Sequence, residues 1–296
     1  MTIIVKETVA IIGLGRAGTA IGCLLRRAGY PIVAVAGRSQ ASLAERIRYT
    51  GGRAFTADGV AEAASLATCI FITTPDDNIA QVCRQIAGRG GFKPGDKVIH
   101  MSGAGGLNLL EPARQAGANV ACIHPIQSFA DIEGAIRNIP RSTFGITADE
   151  DLQEWCAALV RTLGGIPFTV PEAIKPLYHA AACMASNYLT TLIHMVEETY
   201  LFLGLSRDEA IRAFWPLVEG TIKNIETKGS VQALTGPISR GDSGTIAQHL
   251  DVFREKLPRY LPVYCALGLQ TVELALTKQS LSPERGEVIK KILKGE

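Results

Sequence analysis

The run KPLYHAAACMASNYLTTL, Lys175 to Leu192, sets His179 and Asn187 eight positions apart in a stretch rich in alanine and almost free of charge. Histidine, with a reference pKa of about 6.5, gives and takes a proton near neutral pH. Asparagine carries an amide that both donates and accepts hydrogen bonds. On an α-helix each residue advances about 100°, which brings Cys183 and Ser186 close to the angle of His179 and leaves Asn187 about 80° round. The four share one stripe, with His179 and Asn187 roughly 12 Å apart along the axis. Such a pair can bracket a small substrate, the imidazole protonating a developing oxyanion and the amide holding the molecule in place. Two hydrogen-bonded polar groups in a core are the bland alternative.

The segment IIGLGRAGTAIGCLLRRAG carries a second pattern, Gly13, Gly15 and Gly18 in G-x-G-x-x-G spacing between an apolar run and a helical one. The first glycine allows a tight turn and the second lets backbone approach a pyrophosphate. The third admits close helix–strand packing, with the phosphates at the helix N-terminus. Arg16 and Ala17, in the same loop, are counted with the dinucleotide contacts, a solvated Arg16 being the equal alternative. Where a carboxylate for the ribose hydroxyls is usual, the next apolar run ends AVAGRSQ. Arg38 and Ser39 there point to a 2′-phosphate, and so to NADP over NAD.

Ligand crevices of open α/β sheets lie off the carboxyl ends of the strands. That places Thr74 and Pro75 of TTPDD beside the cofactor, together with Ser102 and Gly103 of MSGAGG, Ser102 at the reacting end. Asp76 reads first as a helix N-cap. His124, before Pro125 at the end of another apolar run, either faces the substrate or fixes a turn. In ALTGPISRGDSG, Arg240 and Asp242 suit a carboxylated or phosphorylated substrate, and a plain capped turn suits them nearly as well.

Elements must position these groups. TVAIIG, PIVAVAG, CIFITT, KVIHMS, NVACIH and STFGIT are short, near-continuously apolar runs separated by helical stretches, which predicts a mainly parallel, doubly wound α/β sheet covered on both faces. After about Val170 the pattern is helical: 172–204, 206–226, 245–257, 259–278 and 283–294. Ser206 with Glu209 predicts a capping box, and Ser282-Pro283 a helix start. The expected domains are a Rossmann sheet over 1–168 and an all-helical substrate and dimerisation domain over 169–296.

Composition narrows the classes. The chain has 296 residues, 47% of them hydrophobic, and a formal charge of +2 from interspersed residues of both signs. A sizeable core is therefore available, and no basic footprint for nucleic acid is present. Seven scattered cysteines without a C-x-x-C pair read as buried apolar residues of a reducing cytoplasm, and five single histidines without H-E-x-x-H point to no metal. The start, MTIIVKETVAIIG, runs into a strand with no basic leader. Pro176 to Val196 holds no Asp, Glu, Lys or Arg, yet its histidines, threonines and asparagine fit a helix buried among helices better than a membrane span. A small soluble molecule is the expected partner.

Taken together, GLGRAG, AGRS, TTPDD, MSGA, HPIQSF, YHAAACMASN and LTGPISRGDSGT resemble a bacterial family that joins a Rossmann-like NADP oxidoreductase domain to a C-terminal domain of unknown function. It lies within the 6-phosphogluconate dehydrogenase-like superfamily. The resemblance covers essentially the whole chain and implies an NADP domain, a helical domain, a homodimer and an oxidoreductase activity, some members being an alternative type of ketopantoate reductase. Ketopantoate and hydroxyacid members of the superfamily carry a catalytic lysine with asparagines at four-residue steps on the first long interdomain helix. Here those steps hold His179, Cys183 and Asn187, which makes the acid a histidine. Lys175, one turn earlier, is its rival, with Pro176 able to interrupt the helix between them.

The expected reaction is NADPH-dependent reduction of the carbonyl of a small 2-keto acid, or of an imine of the pyrroline-5-carboxylate type. Hydride leaves a nicotinamide held near Ser102 and Gly103, His179 donates the proton and Asn187 holds the substrate. His124, Cys183, Arg240 and Asp242 complete the substrate site. A non-catalytic NADP(H) sensor or partner-binding dimer is the rival from another class.

Overall fold

The computed structural model describes residues 6–296; Met1 to Val5, where the strand-like start was read, lie outside the described residues. Strands and helices alternate through β1 (Val9–Ile12), α1 (Arg16–Arg27), β2 (Ile32–Ala36), α2 (Gln40–Thr50), β3 (Arg53–Phe55), α3 (Val60–Ser65), β4 (Cys69–Ile72) and α4 (Asp76–Ala87). They continue through β5 (Lys97–His100), α5 (Glu111–Gln115), β6 (Asn119–Pro125), α6 (Ile132–Asn138), β7 (Thr143–Ala148), α7 (Glu150–Thr162) and β8 (Ile166–Thr169). Then come α8 (Lys175–Cys183), a single π turn (Met184–Tyr188), α9 (Leu189–Phe202), α10 (Arg207–Ala233), α11 (Pro237–Arg240), α12 (Ser243–Lys256), α13 (Leu261–Thr277) and α14 (Pro283–Lys294).

The strands form one sheet in the order β3-β2-β1-β4-β5-β6-β7-β8, parallel throughout except where β7 runs against β6. The six apolar runs are strands as predicted, and β3 and β8 join them at the two edges. Both added strands are short and partly exposed, so neither shows as an apolar run. Alternate side chains of each central strand serve opposite faces: Val9, Ile11, Phe71 and Ile99 enter one core, Ala10, Ile12, Ile70 and Val98 the other. A strand buried on both sides has no polar phase, which is why these runs read as continuous apolar blocks.

Register sets the ends of the central strands side by side, with Ile12 opposite Ile72, Ile72 opposite His100, and His100 opposite Cys122. The loops after β1, β4, β5 and β6 therefore emerge together at one carboxyl edge. Strand order reverses between β1 and β4, where open α/β sheets form their ligand crevice.

The chain separates into two compact units, residues up to Asn187 and Tyr188–Glu296. The change from strands to helices falls at Thr169, where the sequence pattern changes, but α8 and most of the π turn group with the sheet. The expectation of one helix over 172–204, buried among helices from Pro176 to Val196, is corrected on two counts. The π turn interrupts it, and Leu177, Met184 and Tyr188 are 72%, 62% and 65% exposed. Pro176 does not break α8, because it lies in the first turn, where a missing N–H costs nothing.

In the second unit Ile246, Leu250, Val272, Ile289 and Leu293 form the core. The Ser206–Glu209 capping box and the Ser282 cap before Pro283 are both present. Of the seven cysteines, five are buried, and Cys183 and Cys265 are half-buried.

Phe71 is 1% exposed at the centre of the sheet. Phe71→Ala should lower unfolding free energy by about 3–5 kcal/mol, read as a shift of the urea midpoint.

Candidate active site

At the crevice, a groove of about 400 Å³ is lined by Gly13, Gly15, Arg38, Ser39, Thr74 and Pro75, among others. Gly13 has φ 108° and backs onto the Thr73–Thr74 peptide, while Gly18 leaves room for Thr73 against the Gly13 carbonyl. Gly15, by contrast, has nothing within 4 Å of the place a side chain would take. Open space there is what a pyrophosphate approaching the α1 N-terminus needs.

Ser39 caps α2, accepting from the Ser42 N–H at 3.3 Å, so a second helix N-terminus meets the groove beside Arg38. Arg46, two turns on, also lines it and donates to the Leu14 carbonyl at 2.6 Å; its Nε is buried without a partner, as is Thr74 Oγ1. Arg46 was missed in the sequence. The available signal was an arginine seven positions after Ser39 on the same helix.

The turn after β5 is braced from several sides. Ser102 Oγ donates to Asp76 Oδ2 at 2.6 Å and accepts from the Gly105 N–H at 2.8 Å. The hydroxyl expected at the reacting end is thus 2% exposed and engaged in both directions, as a brace. Asp76 likewise is not the N-cap, which is Pro75; its carboxylate reaches across to Ser102. His100, fully buried, accepts from the Ser102 N–H at Nδ1 (3.2 Å) and faces the Gly106 carbonyl through Nε2 (3.2 Å). That arrangement uses the neutral ring with its proton on Nε2. Burial, reinforced by the nearby Lys175 charge, holds His100 down to about 4. Glu172 Oε1 accepts from the Leu107 N–H at 2.6 Å and closes the turn.

Gly103, at the tip, meets two imidazoles. A side chain there would collide with His179 Nδ1 and lie 2.9 Å from His124 Nε2. The two rings stand edge-to-face with centroids 5.6 Å apart. His179 Nδ1 is buried and has no hydrogen-bond partner, and its Nε2 lies 3.6 Å from Cys183 Sγ. His124 Nδ1 is 2.8 Å from the Tyr178 hydroxyl. Burial, with smaller contributions from His179 and Lys175, lowers His124 to about 4. Tyr178 was not singled out in the sequence, where only its place beside His179 marks it.

Lys175 is 1% exposed beneath this turn, its Nζ 3.2 Å from Cys122 Sγ and 3.4 Å from the Ser102 carbonyl. Burial pushes the Cys122 thiol up to about 11 against the opposing pull of Lys175.

Arg16 is exposed and donates to the Ala130 carbonyl at 2.8 Å, and Ala17 is half-buried in the first turn of α1. Asn187 falls in the π turn, whose residues advance less than 100° each, so the stripe reckoned on a straight α-helix does not carry over to it. Arg240 and Asp242 belong to the second unit and pair with one another, Nη2 to Oδ2 at 2.9 Å and Nε to Oδ2 at 3.0 Å.

The strand order and the glycine loop at its reversal define a dinucleotide-binding fold of the Rossmann type. Residues 4–125 match the Rossmann-like domain family, and residues 142–271 match the domain of unknown function DUF2520. The chain thus joins a Rossmann-like domain to this second domain. No curated protein matches it. Among solved structures, a candidate NADP oxidoreductase from Bacteroides fragilis is similar at TM-score 0.72 and 21% identity, over 88% of this chain and 96% of that one. An imine reductase from Pseudomonas sp. is similar at TM-score 0.63 and 18% identity, over 98% and 99%. A pyrroline-5-carboxylate reductase from Coxiella burnetii is similar at 0.57 and 18%, over 97% and 99%. At these identities the likeness is one of fold.

Because folded His100 stays neutral down to about pH 4 while the unfolded ring protonates near 6.5, the unfolded chain binds the extra proton between those values. The His100 contribution to stability should therefore fall by up to about 3 kcal/mol as pH drops from 6.5 to 4, seen as a shallower fall in His100→Gln when urea midpoints are read across that window.

Proposed function

We propose that this chain is an NADPH-dependent reductase of a small carboxylate with a polarised double bond beside it, in the first place a 2-keto acid. The observation that carries the reading is His179 Nδ1, a buried and unpartnered imidazole nitrogen against Gly103. It stands at the same carboxyl edge as the glycine-loop groove. The names carried by the fold relatives, an NADP oxidoreductase and two reductases of C=N bonds, support the class.

The groove's residues fit NADP: Gly15 leaves backbone open to a pyrophosphate, and Arg38, Ser39, Ser42 and Arg46 gather hydroxyls and guanidiniums suited to a 2′-phosphate. The orphaned Thr74 Oγ1 and Arg46 Nε are polar atoms that a ligand in this groove would satisfy. When bound, the dinucleotide supplies the hydride. His179 gives a proton from Nδ1 to the substrate heteroatom as negative charge develops on it, and its Nε2 rests against Cys183. Asn187 contributes a substrate hydrogen bond. The braced turn from His100 to Gly106 keeps Gly103 and the two rings in place, so little reorganisation accompanies reaction.

An imine is the second reading, favoured by the names of the Pseudomonas and Coxiella relatives. Here His179 would protonate nitrogen instead of oxygen. We also propose a homodimer through the helical unit. Of the 27 residues of α10, only Ala210 and Phe214 are buried, while Trp215, Leu217 and Ile222 stand exposed. Light scattering at micromolar concentration tests it, with a monomer as the contrary result.

NADPH oxidation measured against 2-keto acids, aldehydes and cyclic imines separates the substrate readings. Binding of NADPH without oxidation by any of them would leave a dinucleotide-binding sensor. His179→Ala should lower kcat by about a hundredfold or more and leave NADPH affinity unchanged. Arg38→Ala and Arg46→Ala should each weaken NADPH binding by about tenfold or more with little effect on NADH, as measured by fluorescence titration.

A further inference from the structure

His124 is not held by its own strand alone. Strand β6 pairs with β7 so that His124 lies directly opposite Gly145. Any side chain at residue 145 would overlap the Tyr178 hydroxyl, so this glycine opens the space through which the phenol, carried by α8, reaches across to the ring. There the hydroxyl stands 2.8 Å from His124 Nδ1, with the two rings edge-to-face at 87°.

Both partners of that hydrogen bond are neutral at neutral pH, and the phenol brings a proton to it. Burial and the neighbouring Cys122 push Tyr178 up to about 12, so the phenol keeps its proton. Burial keeps the His124 ring neutral at neutral pH. The hydroxyl has His124 Nδ1 as its hydrogen-bond partner and carries a proton to place on it. Nδ1 is then the acceptor, and the ring proton resides on Nε2. That nitrogen points to the tip of the turn, 2.9 Å from the position a side chain on residue 103 would take, on the face that His179 Nδ1 also meets.

We propose that Tyr178 is a positioning residue that locks His124 as the Nε2–H tautomer, making His124 a neutral donor to the same carboxylate-bearing substrate whose heteroatom His179 protonates. The inference rests on the reductase reading and adds to it a division of labour. One imidazole moves a proton, and the other holds a fixed N–H toward an oxygen of the substrate. A neutral donor selects for an acceptor oxygen by hydrogen bonding, without the charge that two facing imidazolium rings would bring together.

The test uses full-length protein labelled with 15N-histidine, saturated with NADP at pH 7, with His124 assigned by comparison with His124→Gln. The expected spectrum places the His124 proton on Nε2, and Tyr178→Phe should convert it to a mixture of tautomers. In kinetics, Tyr178→Phe should raise KM by about tenfold with kcat within a few-fold and NADPH affinity unchanged. His124→Gln, whose amide places an N–H near the Nε2 position, should recover most of what His124→Ala loses. A purely structural role for Tyr178 would shift the melting temperature without moving either tautomer or KM, and that result overturns the proposal. So does an Nδ1–H tautomer in the unmodified protein, which would leave the reductase reading standing. Absence of NADPH oxidation with every substrate class, alongside the expected nitrogen shifts, would instead overturn the reductase reading and with it the substrate-donor role.

Discussion

Ser102 Oγ donates to Asp76 on α4 and accepts from the Gly105 amide, so a single buried hydroxyl ties the loop after β4 to the turn after β5. His100 beneath it uses both ring nitrogens on the backbone of the same turn, and Glu172 fastens the far side. A turn so fully bonded has few alternative shapes, since moving any part of it leaves a buried polar group unpaired. Gly103 stands at its tip, and both imidazoles rest on Gly103. The position of these two rings is thus inherited from a network that contains neither of them.

The same edge of the sheet serves the dinucleotide groove. Thr74 and Pro75 line the groove, and the next residue, Asp76, holds Ser102. Groove and brace are therefore one residue apart in the chain. Lys175 lies below, packed against Cys122 and the Ser102 carbonyl, and its charge is among the influences that keep His100 and His124 neutral.

Much of this fold was legible because strands buried on both faces must be apolar along their whole length, and glycine spacing at a phosphate turn is sterically dictated. The glycine loop, Arg38, Ser39, Thr74 and Pro75 could be placed for that reason, as could the caps at Ser206 and Ser282. Tyr178, Arg46 and the Asp76–Ser102 bond could not, because each depends on which loop faces which across the sheet, and local pattern carries no such information. Asp76 shows the difference: its local setting proposes a cap, and tertiary structure gives it a partner 26 positions away. The π turn is invisible for a related reason, since one extra residue in a helical turn leaves composition unchanged while altering every angle after it.

Gly103 is closed to substitution. Two aromatic nitrogens abut its α-carbon, so the tip has an alphabet of one, and diversity introduced there is spent on collapse of the site. Cys183 is different: it is half-buried, lies beside His179 and takes no part in bracing the turn. Substitution at that thiol leaves the braced turn untouched.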